Sequence, residues 1–410
     1  MAKPTKAATP TSAPAAAAPA TTPATSETKL RMPAEEKYAE ELAYLASVDK
    51  DQRPFAWRLS PRMIRTFILG AGPSDGFDRP IAQKFFGDPS LVERAIVTLA
   101  SDRGLLLIGD PGTGKSWLAE LLAAAISGNS THVVQGTAGT TEDHIKYSWN
   151  VAMVIAKGQS RESLIPSPIM TAMQRGEMGR FEELTRCGSD VQDALISILS
   201  EKYIAIPELR GEESIVYAKP GFNMIATANS RDRGVNELST ALKRRFNFVT
   251  IPVVTNKKSE KEIVLFRTRE LMARHTISVD VPPTLLDILL QTFSDLREAA
   301  ANATSEDQRL ESSLSTAEQI GVLEDALLHS HFFGDRSLQP ATMARSLVST
   351  LVRRVPEDVS ILNKFWHASE GEGPKKRKKG ETETSSAEAG KSPEWEAFVA
   401  GGKQALASFK

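Results

Sequence analysis

An apolar run, Leu105-Leu106-Leu107-Ile108, leads into Gly109-Asp110-Pro111-Gly112-Thr113-Gly114-Lys115-Ser116, and that loop opens into Trp117 to Ile126, a good helix former that stops at Gly128. Strand, glycine loop and helix in this order give the Gly-x-x-x-x-Gly-Lys-Ser spacing its physical meaning. Gly112 and Gly114 let successive backbone N–H groups turn toward an anion, the helix N-terminus adds partial positive charge, and Lys115 can reach the outer phosphates. Ser116 is placed to bind Mg2+. The pattern predicts a nucleoside triphosphate site built from Gly109, Asp110, Pro111, Gly112, Thr113, Gly114, Lys115, Ser116 and Trp117.

Periodicity divides the rest. From the loop to about residue 254 short apolar runs alternate with helical stretches: His132-Val133-Val134, then Phe222 to Thr227, then Phe248 to Ile251. That alternation predicts an α/β fold, a mostly parallel sheet flanked by helices. From about 258 to 366 only helical patterns occur, and Glu260–His275, Pro283–Ala301, Thr316–His331 and Pro340–Val355 predict four helices. The resulting plan is an Ala/Pro/Thr-rich tail over 1–30, a helical lead-in over 31–80, a nucleotide-binding core over 81–256, a small all-helical lid over 257–366, and a charged linker and tail over 367–410. The first tail lacks the apolar residues needed to offset its chain entropy. In the last segment, Lys375-Lys376-Arg377-Lys378-Lys379 reads as a solvated linker, a nuclear address or a nucleic-acid contact. Beyond it, Trp395, Phe398, Val399, Leu406 and Phe409 are loosely helical in spacing but interrupted by Gly401-Gly402, which suits a partner-binding tail or a packed or frayed end.

Fifty basic residues against 51 acidic leave a net charge of -1, so no global field draws the chain to nucleic acid or an anionic membrane. The one cysteine, Cys187, excludes an intrachain disulfide, and the lack of a CxxC or Cys/His cluster argues against zinc; both predict a reducing, cytoplasmic setting. No uninterrupted apolar stretch of about 18 residues suggests a membrane-spanning helix.

A phosphate loop alone does not fix the chemistry, and two further groups of residues narrow it. Gly179-Arg180-Phe181-Glu182-Glu183 precedes the amphipathic segment Val191 to Ser200. Adjacent carboxylates at a strand end could hold Mg2+ through its water shell and polarise an attacking water. A hairpin over Ile204-Ala205-Ile206-Pro207 and Ser214 to Tyr217 leads to the run ending in Ala228-Asn229, where an asparagine at a strand tip could hydrogen-bond the γ-phosphate or orient that water. Arg244 and Arg245 then close Ala241-Leu242-Lys243-Arg244-Arg245-Phe246.

Together these residues resemble the AAA+ ATPases and, within them, the MoxR-like group of ring-forming chaperone ATPases, over roughly residues 56 to 355. Gly109–Ser116 stands as Walker A, Phe181-Glu182-Glu183 as Walker B, Val191 to Glu201 as the following helix, Ala226-Thr227-Ala228-Asn229 as sensor 1, and Ala241 to Phe246 as the arginine-finger segment. The interval from sensor 1 to the arginines is also similar to McrB-like NTPases. The resemblance implies ATP and Mg2+ as ligands, with Lys115 on the β and γ phosphates, Ser116 and Glu182 setting the metal, and Glu183 with Asn229 aligning water. It further implies a homo-oligomeric ring, a hexamer, in which Arg244 or Arg245 of a neighbouring subunit stabilises charge on the γ-phosphoryl group. A protein client and a separate von Willebrand A domain adaptor complete what it implies.

This chain departs from the family pattern in three places. Family Walker B strands end Asp-Glu after four apolar residues, whereas Met178-Gly179-Arg180-Phe181-Glu182-Glu183 sets the charge one methylene further out, and Arg180 speaks against a buried strand. Slow or conditional hydrolysis follows as an expectation. A sensor 2 arginine is expected near the start of a lid helix, and Arg336 and Arg345 are both candidates. The finger segment offers two arginines, of which Arg245 fits the family's Arg-Phe pair better and Arg244 could share the role. Three functions stay open: a remodelling chaperone, a nucleotide-gated scaffold with little turnover, and a McrB-like nucleic-acid NTPase. The last ranks lowest, because no base-reading module, aromatic stacking platform or nuclease constellation accompanies it.

Overall fold

The computed structural model describes residues 29–229, 237–254, 256–305, 308–369 and 392–409. Residues up to Met32 form a unit apart from the one that begins at Pro33, whose architecture follows. The Ala/Pro/Thr tail up to residue 28 and the basic run at 375–379 lie outside the described residues.

Helices α1 (Ala34–Lys37), α2 (Ala39–Val48), α3 (Pro61–Leu69) and α4 (Pro89–Leu99) precede the first strand. The Ser60 and Asp88 side chains accept the N–H groups of Met63 and Ser90 and so start α3 and α4, each with proline in the first turn where its missing N–H costs nothing. The core then runs β1 (Gly104–Gly109), α5 (Lys115–Ser127), β2 (Val133–Gln135), β3 (Tyr147–Trp149), α6 (Val151–Lys157), β4 (Leu164–Pro166), α7 (Pro168–Arg175), β5 (Met178–Glu182), α8 (Ser189–Glu201), β6 (Tyr203–Ala205), β7 (Ile215–Tyr217), β8 (Asn223–Asn229), α9 (Thr240–Lys243) and β9 (Phe246–Thr250). Five strands form one parallel sheet in the order β2-β5-β8-β1-β9, while β3-β4 and β6-β7 are separate antiparallel pairs.

The run at β1 is uninterrupted because both faces of a central parallel strand are covered. Side chains alternate across it, so Leu105 and Leu107 enter the apolar cluster shared with α3, α4 and α5, and Leu106 enters the cluster shared with α7 and α8. Tyr147 and Trp149, on the small β3-β4 pair, meet edge to face and both hydrogen-bond the Glu208 carboxylate.

The lid has its own apolar core, made by α10 (Lys257–Arg274), α11 (Pro283–Ala301), α12 (Thr316–Phe333), α13 (Pro340–Leu351), α14 (Glu357–Ala368) and α15 (Pro393–Ala407). The segment read as a tail is thus the lid's last helix, with Trp395, Phe398, Val399 and Leu406 buried beside Trp366. Glycine is a poor helix former, which is why Gly401-Gly402 looked like an interruption. Packing overrides propensity here: a Cβ on Gly401 would come within 2.6 Å of Ala341 Cα, and one on Gly402 within 2.5 Å of the Trp366 ring. The two glycines let α15 lie directly on α13 and α14.

Candidate functional site

Parallel strands deliver their C-terminal ends to one edge, and such an edge is where open α/β sheets bind ligands. Gly109 pairs in register with Asn229, and Phe181 with Ala226, so the phosphate loop, the acidic pair and the asparagine arrive together. Glu182 is 5% exposed at the tip of β5. One carboxylate oxygen, Oε2, accepts from Ser116 Oγ at 2.6 Å and from Thr227 Oγ1 at 2.7 Å; the other, Oε1, accepts from Arg180 Nη2 at 2.7 Å.

The expectation that Arg180 tells against a buried strand is corrected by that contact. All of β5 is buried, Arg180 included at 7% exposure, because its charge is matched by Glu182 and its two terminal nitrogens also reach the Ser130 and Ser116 carbonyls. Glu183 has left-handed backbone, φ 55°, a conformation that costs about 1 kcal/mol or more for a residue with a Cβ and that recurs at functional sites. Its N–H donates to Thr227 Oγ1 at 3.1 Å, and its carboxylate lies 2.6 Å from Arg186 Nε.

In the loop, Lys115 Nζ donates to the Gly109 and Asp110 carbonyls at 2.9 and 2.8 Å, and Thr113 Oγ1 donates to Asp110 O at 2.9 Å. Gly112 has φ 77°, and a Cβ there would collide with Ser315 Oγ on the lid. Ser315 begins α12 in a capping box with Glu318, so a helix N-terminus of the lid faces the phosphate loop.

A cleft of about 390 Å³ runs between core and lid, from Glu183, Thr227 and Asn229 past the loop to an apolar end. There Phe86 of the core and Phe266 of the lid face each other with ring centroids 6.0 Å apart. The Trp117 indole donates to Lys84 O at 3.0 Å, and the Arg267 guanidinium lies 4.4 Å from the Trp117 ring centroid. Arg267 is steadied by Glu270, which it meets at 2.8 Å and which also accepts from Lys37 at 2.6 Å and from Tyr38 OH at 3.3 Å. Burial works to raise the Glu270 carboxyl's affinity for a proton, but the hydrogen bonds and charges of Lys37 and Arg267 outweigh it and hold the group below its usual range. Burial, with the Glu270 charge, pushes the Tyr38 phenol well above its usual range.

The loop residues from Pro111 to Trp117, together with Glu183 and Asn229, line this cleft. Gly109 and Asp110 frame it through their carbonyls on Lys115, and Glu182 through Ser116. Arg244 and Arg245 do not line it: Arg244 is exposed, and Arg245 donates to Ser200 Oγ and Ala241 O. Arg336 and Arg345 are not brought to it either; Arg336 is exposed in the turn between α12 and α13, and Arg345 is exposed on α13, donating to Ala341 O. The lid instead contributes Ile263, Phe266, Arg267, Ser315 and Ile320. No fixed spacing marks these residues, and Arg267 is one of several basic residues on a highly charged helix.

Among the described residues no group of three or more His, Cys, Asp or Glu forms a self-contained metal site. Ser116 Oγ and Glu182 Oε2, hard oxygens beside a phosphate loop, fit Mg2+ instead, which is usually held by one or two protein oxygens plus phosphate and water. None of the described helices is long and apolar enough to cross a membrane.

Sheet order, phosphate loop and helical lid define an AAA ATPase. In keeping with that class, residues 104–246 match the family described as "AAA domain (dynein-related subfamily)". The chain belongs to the same AAA ATPase family as YehL of Escherichia coli K12, a protein described only as uncharacterized; the two are 44% identical over 336 residues, covering 82% of this chain and 91% of the other. YojN of Bacillus subtilis, similarly described, is 26% identical over 167 residues, 41% of this chain and 53% of that one. Of solved structures, NtrX from Brucella abortus in complex with ADP aligns with a TM-score of 0.45 at 13% identity, over 69% of this chain and 60% of that one.

Proposed function

We propose that the chain is a MoxR-like remodelling ATPase that hydrolyses ATP in sites shared between the subunits of a homo-oligomeric ring, and that lid motion acts on a protein client through a separate von Willebrand A domain adaptor. One observation carries this reading: Ser116, Glu182 and Thr227 are joined beside Glu183 and Asn229, while both finger-segment arginines stand outside the same cleft. A site complete in its loop and acidic pair but lacking an arginine from that segment is what a shared site requires of one subunit.

Lys115 would exchange its loop carbonyls for the β and γ phosphates, and Ser116 and Glu182 would hold Mg2+. Mg2+ bound with the nucleotide supplies positive charge at the phosphate oxygens. Asn229 orients the water and Glu183, once released from Arg186, takes its proton. Arg244 or Arg245 of the neighbour meets the charge on the γ-phosphoryl group, a contribution of about 10³ to 10⁵ in rate in other NTPases. Ser315 on Gly112 and Arg267 on Trp117 tie the lid to the same loop, so loss of phosphate contacts is felt by the lid.

The test is ATPase activity per subunit across a wide protein concentration range, with Lys115→Ala in parallel. Activity that rises with concentration and disappears in the variant supports the shared site; normal hydrolysis by Lys115→Ala sinks the reading. The Glu183–Arg186 pair favours a second one, a nucleotide-gated scaffold with little turnover. It expects tight ATP binding and negligible hydrolysis even in the assembled ring.

A further inference from the structure

We propose that Arg180 is a positioning residue for Glu182, and that the two act as one unit: a long carboxylate made usable at the metal position by a cation that fixes its far oxygen. Residues i and i+2 of a strand share a face, so both side chains of β5 point to the same side. The guanidinium is anchored independently of the carboxylate, through Nη1 to Ser130 O at 2.9 Å and Nη2 to Ser116 O at 3.3 Å. It then holds Glu182 Oε1 at 2.7 Å, which leaves Oε2 alone to meet Ser116 Oγ and Thr227 Oγ1. Both side chains are nearly buried, at 9% and 7% exposure.

A glutamate has one more rotatable bond than an aspartate and must be restrained to present one oxygen at a fixed point. The planar fork of arginine, tied at three acceptors, supplies that restraint more fully than the single charged nitrogen of a lysine. Stability does not explain the residue: burying an ion pair is commonly no better than burying apolar side chains, and the Arg180 Nε is buried with no acceptor at all. The arginine at 180 and the glutamate at 182 are therefore mutually dependent, and neither is tolerated well without the other.

The proposal rests on the nucleotide-site reading above, and the experiment separates the two. Equilibrium binding of a fluorescent ATP analogue to the full chain is measured in EDTA and in Mg2+, with Mn2+ uptake followed by electron paramagnetic resonance. Arg180→Met is expected to bind as the parent does in EDTA but to lose about 10- to 100-fold of the metal-dependent gain, the usual effect of removing a partner of a metal ligand. Glu182→Asp, with Arg180 kept, is expected to lose gain as well, because the shorter carboxylate cannot span Arg180 and Ser116. The double variant is expected to recover most of it, and Arg180→Lys to keep part.

Additive losses in the double variant, an unchanged gain in Arg180→Met, or an equal loss in EDTA and Mg2+ would each overturn the pairing while leaving the nucleotide site intact. A parent chain that binds no nucleotide in either condition would overturn both.

Discussion

The two walls of the cleft are built on different principles. The core wall is set by backbone: a loop between β1 and α5, and strand tips at Glu182 and Asn229 brought level with it by register. The lid wall is made of side chains from separate elements, Phe266 and Arg267 from one helix and Ser315 from the start of another, which meet the core only through tertiary packing. Phosphate recognition is thus local in sequence, and whatever meets the apolar end of the nucleotide is not. A motif can encode the first kind of wall; the second depends on how two bodies are docked.

The contrast can be broken by substitutions on either side. Glu183→Gln, on the core wall, is expected to keep nucleotide binding and lose about 10²- to 10⁴-fold in hydrolysis, read by comparing turnover with equilibrium binding. Arg267→Ala, on the lid wall, is expected to act oppositely: it removes the cation from Trp117, about 1 to 2 kcal/mol in a sheltered site, so ATP affinity falls by about 5- to 30-fold with a smaller change in turnover at saturation. An unchanged affinity would mean that the lid wall is only a cover.

Gly401→Val forces a branched side chain against Ala341 and is expected to cost ~1 to 3 kcal/mol, seen as a lower thermal midpoint. Phosphate-loop geometry at low temperature should not change. The smallest effect is expected from Asp358→Asn in the lid. Burial works to raise this carboxyl's proton affinity, but the Arg354 and Arg353 backbone N–H groups and the Arg354 guanidinium overcome it and hold it below the usual carboxylate range. Its stabilisation of about 1 kcal/mol is complete above the unfolded-state value and disappears as pH falls through the folded one. Parent and variant midpoints should differ at neutral pH and converge in acid; a constant difference would rule out the charge as the cause.

The legible part of the molecule follows the same division. Strand runs at 105–108 and 222–227, the helix stopping at Gly128, and the residues from Gly109 to Ser116 could be read directly, since each is fixed by local chemistry. Glu182 and Asn229 were visible as strand-end residues, but their meeting at one edge needed the sheet order. Arg180 misled because a charge in a buried strand is costly only when unpaired, and its partner lies two residues on. Gly401-Gly402 leaves a packed end, a frayed end and a partner-binding tail open in sequence, because propensity does not see the helix that α15 packs on. Arg336 and Arg345 are candidates by their nearness to the start of a lid helix, whereas the arginine that lines the cleft, Arg267, is set by where α10 crosses Trp117.

Glu270 collects hydrogen bonds from Lys37 and Tyr38 of the lead-in and from Arg267 of its own helix. In mechanical terms one carboxylate is the shared bearing of three parts: the entry of the chain, the lid, and the indole at the cleft. A lid movement that carries Glu270 away from the lead-in must break its bonds to Lys37 and Tyr38, so the entry of the chain and the seating of Arg267 on Trp117 share one anchor.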